Sequence, residues 1–371
     1  MIRRQGELFG VFVKSSIGLC GTGILVVGAV LGVLSGVVNC LGAAPAALLD
    51  GGTPPPVLSE LLRDDSGRAI TSVAAWEKQR EKLRARWEKF LGPFPAKPPL
   101  DIQWGTNETC DGFQRQLVKY QVEDGVYVDG YLLTPTRVAG RLPAVVVFHP
   151  TTPFQARGVA GLERDYPEEK WQGIHLVRRG YLVWCPRNFI YEQGTNWSKN
   201  AQRVLALHTN WTGMTRMVWD AIRAADFVQS LTNVDTRRMG CLGHSLGGKE
   251  VLFAMAFDKR YAAGVSSEGG IGLKFSNWDA IWYLGPRIRQ PGFTLENHEL
   301  LAMVAPRAFL LIGGDSADKL ESVDFINAAD PVYDLYGARK NIGFFDHHLG
   351  HRYPPDAREA AEIFLGRHLN N

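Results

Sequence analysis

Cleaving an ester without a metal takes three side chains that are weak alone: a hydroxyl, an imidazole to take its proton, and a carboxylate to hold the imidazole. The sequence places these in the order Ser245, then Glu268 and Asp318, then His351. Ser245 lies in Gly243-His244-Ser245-Leu246-Gly247, a G-x-S-x-G pentapeptide. The serine of such a pentapeptide must stand on a tight strand-to-helix turn. Glycines two residues before and two after it remove Cβ atoms that would collide there. Arg238–Leu242 reads as the strand and Lys249–Phe257 as the helix.

The base is expected after the last strand, in Asp346-His347-His348-Leu349-Gly350-His351. His351 is the choice, because Gly350 permits a tight loop that returns the ring over the serine; His347 and His348 are its competitors. The three histidines fit no standard zinc spacing, so neither a metal nor an organic cofactor is expected. The acid has two candidate positions. Glu268 follows the strand Ala263–Ser267 and precedes Gly269-Gly270, whereas Asp318 follows the strand Ala308–Ile312, with Asp315 reading as a turn cap. An oxyanion hole needs two backbone N–H groups. Leu246 should supply one, and Thr151 or Thr152 the other, since Pro150 has no N–H. His149 is expected to line the site and His244 to pack beside the serine. Trp278 and Trp282, with Tyr283, read either as a platform for a sugar ring or as packing for the irregular stretch Ser276–Glu299.

These groups need a scaffold. Phe113–Val122 and Val126–Thr134 alternate with period two around Glu123-Asp124-Gly125, which predicts an antiparallel hairpin. Ala144–Phe148 is apolar throughout, as in a strand covered on both faces. Tyr181–Cys185, Arg238–Leu242, Ala263–Ser267, Ala308–Ile312 and Ile342–Phe345 continue the series, with helical stretches between most of them, Met214–Leu231 the clearest and Ala357–His368 the last. Alternating strands and helices predict an α/β fold with a mostly parallel central sheet, helices on both faces, N-terminal antiparallel strands and a small insertion near the site.

The chain has 371 residues, 45% apolar and 21% charged, with a net charge of +3, which argues for neither nucleic acid nor an anionic surface as partner. The five cysteines form no C-x-x-C pair. Arg3, Arg4 and Lys14 precede a charge-free stretch, Ser15–Leu49, and Ala44-Pro45-Ala46 has the small-x-small form of a cleavage site. Residues 1–46 therefore read as a signal peptide or membrane anchor, which places the rest outside the cytoplasm, secreted, periplasmic or anchored. Residues 47–100 read as a spacer and a helical segment, Ala74–Phe90, with one apolar stripe of Trp76, Leu83, Trp87 and Leu91 packed on the outside of the domain. Residues 101–371 read as the catalytic domain.

These motifs resemble the α/β-hydrolase superfamily over residues 101–371. Gly243 through Lys249, Phe257-Asp258, Ser267 through Gly270, His298 through Ala302 and Ala305-Pro306-Arg307 resemble carbohydrate esterases that cleave glucuronoyl esters. In that family a lysine four residues after the serine contacts the sugar, which implies the same for Lys249. Its acid lies after the sixth strand, at Glu268, or in some members after the seventh, at Asp318. The arginine that directly follows the serine in that family is Leu246 here, and leucine cannot replace its charge or forked donors. The late Gly-His loop also resembles the dienelactone hydrolase and acetylxylan esterase type. The expectation is a serine esterase acting on a small or polymeric carbohydrate ester. A serine peptidase or lipase-like hydrolase, and an inactive hydrolase fold serving as an envelope-anchored binding module, are the alternatives.

Overall fold

The computed structural model describes residues 58–137 and 140–370. The leader expected in residues 1–46 lies outside them. No helix among the described residues is long and apolar enough to cross a membrane.

Nine strands form one sheet: β1 (Gln103–Cys110), β2 (Phe113–Glu123), β3 (Val126–Pro135), β4 (Leu142–Phe148), β5 (Leu182–Pro186), β6 (Val234–His244), β7 (Ala263–Ser267), β8 (Ala308–Gly313) and β9 (Ile342–Asp346). Their order is β1-β2-β3-β5-β4-β6-β7-β8-β9. The first three pair antiparallel, β3 runs antiparallel to β5, and β5 through β9 are parallel. The fold is the expected one, an open, mostly parallel sheet covered on both faces.

β4 shows why the pattern reads this way. Ala144, Val146 and Phe148 join one apolar core, and Val145 and Val147 join the other. A strand facing two cores has no position to spare for a polar residue. The first core is roofed by helices Val73–Leu91, Gly213–Ser230, Leu246–Phe257, Asn297–Val304 and Val323–Leu335, the second by Gln155–Val159, Gln172–Arg178 and Pro355–Leu369.

The helix Val73–Leu91 is more deeply built in than its charged sequence implies. Trp76, Trp87 and Leu91 are fully buried, and Trp87 Nε1 donates to Glu299 Oε2 at 2.9 Å. Four residues on seven-and-four spacings, Trp76, Leu83, Trp87 and Leu91, suffice to bury one face of a helix whose other faces carry Lys, Arg and Glu. As expected of a helix packed on the outside of the domain, it lays this stripe against the main core. The Ser276–Glu299 stretch is irregular through Glu296, and its end turns into the helix Asn297–Val304.

Candidate active site

β6 ends at His244, and the helix Leu246–Phe257 begins one residue after Ser245. Ser245 is the pivot, with φ 60° and ψ −116°, a conformation that costs a side-chain-bearing residue energy and must be held by its surroundings. Its N–H donates to the Ser267 carbonyl at 2.8 Å. A Cβ at Gly247 would overlap the Phe148 carbonyl oxygen, and one at Gly243 would overlap the Gly247 backbone. The two glycines let β4, β6 and the elbow helix meet at distances no other residue permits, and that contact sets the hydroxyl at the rim.

The other two groups arrive from 23 and 106 positions further along the chain. His351 Nε2 lies 2.8 Å from Ser245 Oγ, and His351 Nδ1 lies 3.0 Å from Glu268 Oε2. A carboxylate only accepts, so Nδ1 carries the proton and Nε2 is left to accept from the serine hydroxyl. Glu268, at φ 51°, is buried at the end of β7, and its oxygens also accept from the N–H groups of Ala317 at 3.0 Å and Asp318 at 3.4 Å.

Asp318 does not reach the imidazole. Its buried carboxylate accepts from Gly270 N–H and Ile271 N–H, both at 2.7 Å, and from Ser322 Oγ at 3.0 Å. The two acids therefore hold each other's loops: Glu268 ties down residues 317–318, and Asp318 ties down residues 270–271. Asp315 is further out, exposed, and bonded to His348 Nδ1 at 2.7 Å. His347 is buried with Nδ1 accepting from Leu349 N–H at 3.1 Å, so neither of the competing histidines faces the serine. Asp315, Asp346 and His348 are the described residues whose ligand-type atoms, all within 4.8 Å, could share a cation.

His244 packs as expected. Its ring lies 4.9 Å from that of His351, its Nδ1 is 3.0 Å from Ser267 Oγ, and burial holds its pKa well below the usual imidazole range. A neutral ring under His351 adds no charge to compete with the imidazolium that forms during proton transfer.

Three of the residues expected to contact substrate are buried. His149 is buried, with Nδ1 donating to the Pro150 carbonyl at 2.8 Å and Nε2 accepting from Asn188 N–H at 3.1 Å. Burial lowers its pKa to about 4. It acts as a strut for the Pro150–Thr152 loop. Lys249 is also buried, its ammonium donating to the Gly269 carbonyl and lying 4.3 Å from the Trp278 ring centre. Burial lowers its pKa to about 7 against the pull of the Asp318 and Glu268 carboxylates. Trp278 is buried beside it, Nε1 donating to the Gly270 carbonyl at 2.7 Å. Both brace the Glu268–Ile271 loop from inside and offer nothing to solvent. Trp282 is half-buried and stays at the surface.

For the oxyanion, the Leu246 amide opens a helix and has no acceptor within it. Thr151 is half-buried, and Thr152 is buried with Oγ1 accepting from Phe154 N–H at 3.3 Å. Both sit where the chain leaves β4, which pairs with the nucleophile strand β6.

Sequence reading missed Glu250 and Asn188. Asn188 Nδ2 donates to Glu250 Oε2 at 3.0 Å, so the elbow helix, the loop after β5 and the His149 strut form one buried chain. A charged residue inside an apolar helical run, Val251–Phe257 following it, was the signal. Burial first, then the Asp220 carboxylate, pushes the Glu250 pKa well above the usual range. A folded-state pKa raised in this way means the stability Glu250 lends is present below the unfolded value and lost as pH rises toward the folded one. Glu250→Gln removes that loss. It should raise the unfolding temperature by a few degrees at pH 8 and change it little at pH 4.5, by circular dichroism melts at the two pH values.

With that geometry in view, the relatives can be placed. Residues 128–274 match the model of the dienelactone hydrolase family. The glucuronoyl esterase from Solibacter usitatus superposes with a TM-score of 0.69, covering 84% of this chain and 98% of that one at 20% identity. The chain has the α/β-hydrolase fold. At that identity the superposition establishes the fold alone. In sequence, this chain is 24% identical to the Bacillus subtilis protein YtaP over 78% of its length and all of that one. It is 27% identical to the 4-O-methyl-glucuronoyl methylesterase of Cerrena unicolor, covering 82% of this chain and 68% of that one.

Proposed function

We propose that this α/β-hydrolase is a carbohydrate esterase that cleaves carboxylic esters through an acyl-enzyme on Ser245. The observation that carries the reading is the relay of Ser245 Oγ, His351 Nε2, His351 Nδ1 and Glu268 Oε2, with separations of 2.8 and 3.0 Å. Relatives that act on glucuronoyl methyl esters support the substrate class.

Ser245 Oγ attacks the ester carbonyl as Nε2 takes its proton. The carbonyl oxygen becomes an alkoxide facing the Leu246 amide and an amide of the Thr151–Thr152 pair. Glu268 stabilises the imidazolium and keeps Nδ1–H pointed away from the serine. As the tetrahedral species collapses, Nε2–H passes its proton to the leaving alkoxide, and the alcohol departs. A water molecule then gives a proton to Nε2, attacks the acyl carbon, and frees Ser245 and the carboxylic acid.

Residues 1–46 support an exported enzyme, on the charge pattern of that segment. The intact relay geometry favours catalysis over a binding-only module. A fluorophosphonate probe separates the two, because it needs an activated serine and no particular substrate. Labelling of the full chain at Ser245, mapped by peptide mass, is the expected result. An unlabelled, folded protein overturns the proposal.

A further inference from the structure

Trp197 and Trp282 form an aromatic pair outside the relay. Trp197 opens the helix Trp197–Leu207, after β5, and Trp282 belongs to the irregular stretch after β7. Their rings meet edge to face, 5.9 Å apart at 72°. Together with Thr195, Asn196 and Ser198 they line a surface cavity of about 450 Å³, within the range of small-molecule sites, about 300–1,000 Å³.

The cavity adjoins the oxyanion loop through packed neighbours. Tyr191 lies 6.2 Å from Trp197, ring to ring, and 5.5 Å from His149, whose Nδ1 donates to the Pro150 carbonyl at the start of that loop. Tyr283 lies 6.0 Å from Trp282, with its hydroxyl against the Thr151 side chain. The wall carrying Trp282 is fixed from below. The Tyr283 carbonyl accepts from Met214 N–H at 2.8 Å, and a Cβ at Gly213 would strike the Trp282 backbone.

Its chemistry is specific in what it contains and in what it lacks. Two indoles present apolar, π-rich surface, which suits the C–H face of a pyranose. Asn196 Oδ1 caps the helix by accepting from Lys199 N–H at 3.0 Å, leaving its NH₂ group to donate outward. No hydrogen bond among the described residues uses the hydroxyls of Thr195 or Ser198. None of the five lining residues is ionisable. An anionic sugar would lose its hydration there without gaining a counter-charge. Leu246 supplies no cation beside the serine either.

From this we infer that the Trp197–Trp282 cavity is a subsite for a neutral pyranose ring of the ester substrate. The inference rests on the esterase reading, which makes the Thr151–Thr152 loop reached through Tyr191 and Tyr283 part of the site. A neutral ring is what an acetylated pentose or a still-esterified uronate presents, whereas a free uronate does not qualify.

The test uses the full chain carrying Ser245→Ala, titrated with xylobiose, with glucuronate and with catechol, and followed by tryptophan fluorescence and calorimetry. Xylobiose should bind, and adding Trp197→Ala should weaken it at least about tenfold. Trp282→Ala, on the opposite wall, should do the same, which guards against one variant misfolding. In the protein with Ser245 intact, each tryptophan change should lower the ratio of kcat/KM for an acetylated xyloside to that for 4-nitrophenyl acetate. No xylobiose binding to Ser245→Ala overturns the inference, as does tighter binding of glucuronate or catechol. Such a failure alongside Ser245-dependent hydrolysis of 4-nitrophenyl acetate removes the subsite and leaves the esterase standing. Sugar binding to a protein that hydrolyses no ester would do the reverse.

Discussion

Replacing Ser245 with alanine should lower kcat/KM for a short-chain aryl ester by about 10⁴-fold or more, to whatever the oxyanion donors supply unaided. The expected loss is large because Oγ is the atom that bonds to the acyl carbon. No neighbour can stand in for it: Ser267 Oγ is bound at His244, and Ser266 Oγ donates to the Gly248 carbonyl at 2.9 Å. The fold should survive the change. The Ser245 backbone N–H keeps its 2.8 Å bond to the Ser267 carbonyl, and the side chain contributes one hydrogen bond, to His351. Circular dichroism should show an unfolding temperature within a few degrees of the parent. A folded variant that keeps a tenth or more of the activity would refute Ser245 as nucleophile.

The Ser245 elbow, the position of His351 and the strand–helix alternation were legible because each leaves a local signature. The elbow needs glycine at 243 and 247, since a Cβ at either would overlap backbone. β4 must be apolar at every position because it faces two cores. His351 could be singled out because Gly350, at φ 75°, makes the turn the ring requires. Glu268 and Asp318 could not be told apart in this way. Both follow strands of the same sheet, both are buried, and each has a Gly-Gly pair nearby. Which one faces His351 is decided by their mutual clasp, a contact across about 50 residues that no local pattern records. The burial of Lys249, His149 and Trp278 was hidden for a related reason. A polar or aromatic residue near a nucleophile looks like a ligand contact in one dimension. Here the backbone carbonyls of Gly269, Pro150 and Gly270 accept those hydrogen bonds inside the molecule. Trp197 escaped notice because its partner, Trp282, comes from a different loop.

The clasp also makes the identity of the acid a matter for experiment. Glu268→Gln should cost about 10³–10⁴-fold in kcat/KM, the scale seen when a triad acid becomes an amide and the histidine takes the wrong tautomer. The amide NH₂ facing His351 favours an unprotonated Nδ1, which puts the proton on Nε2 where the serine hydroxyl needs an acceptor. Asp318→Asn should act differently. One of the Gly270 and Ile271 N–H groups would then meet an NH₂, so a buried donor loses its acceptor and the protein is destabilised by about 1–3 kcal/mol. The relay from Ser245 through His351 to Glu268 contains no atom of Asp318, so its activity per folded molecule should fall far less than that of Glu268→Gln. Kinetics and melting curves on the two variants, measured together, distinguish the roles. If Asp318→Asn proved well folded yet as inactive as Glu268→Gln, the carboxylate that orients His351 during turnover would be the one on the neighbouring strand.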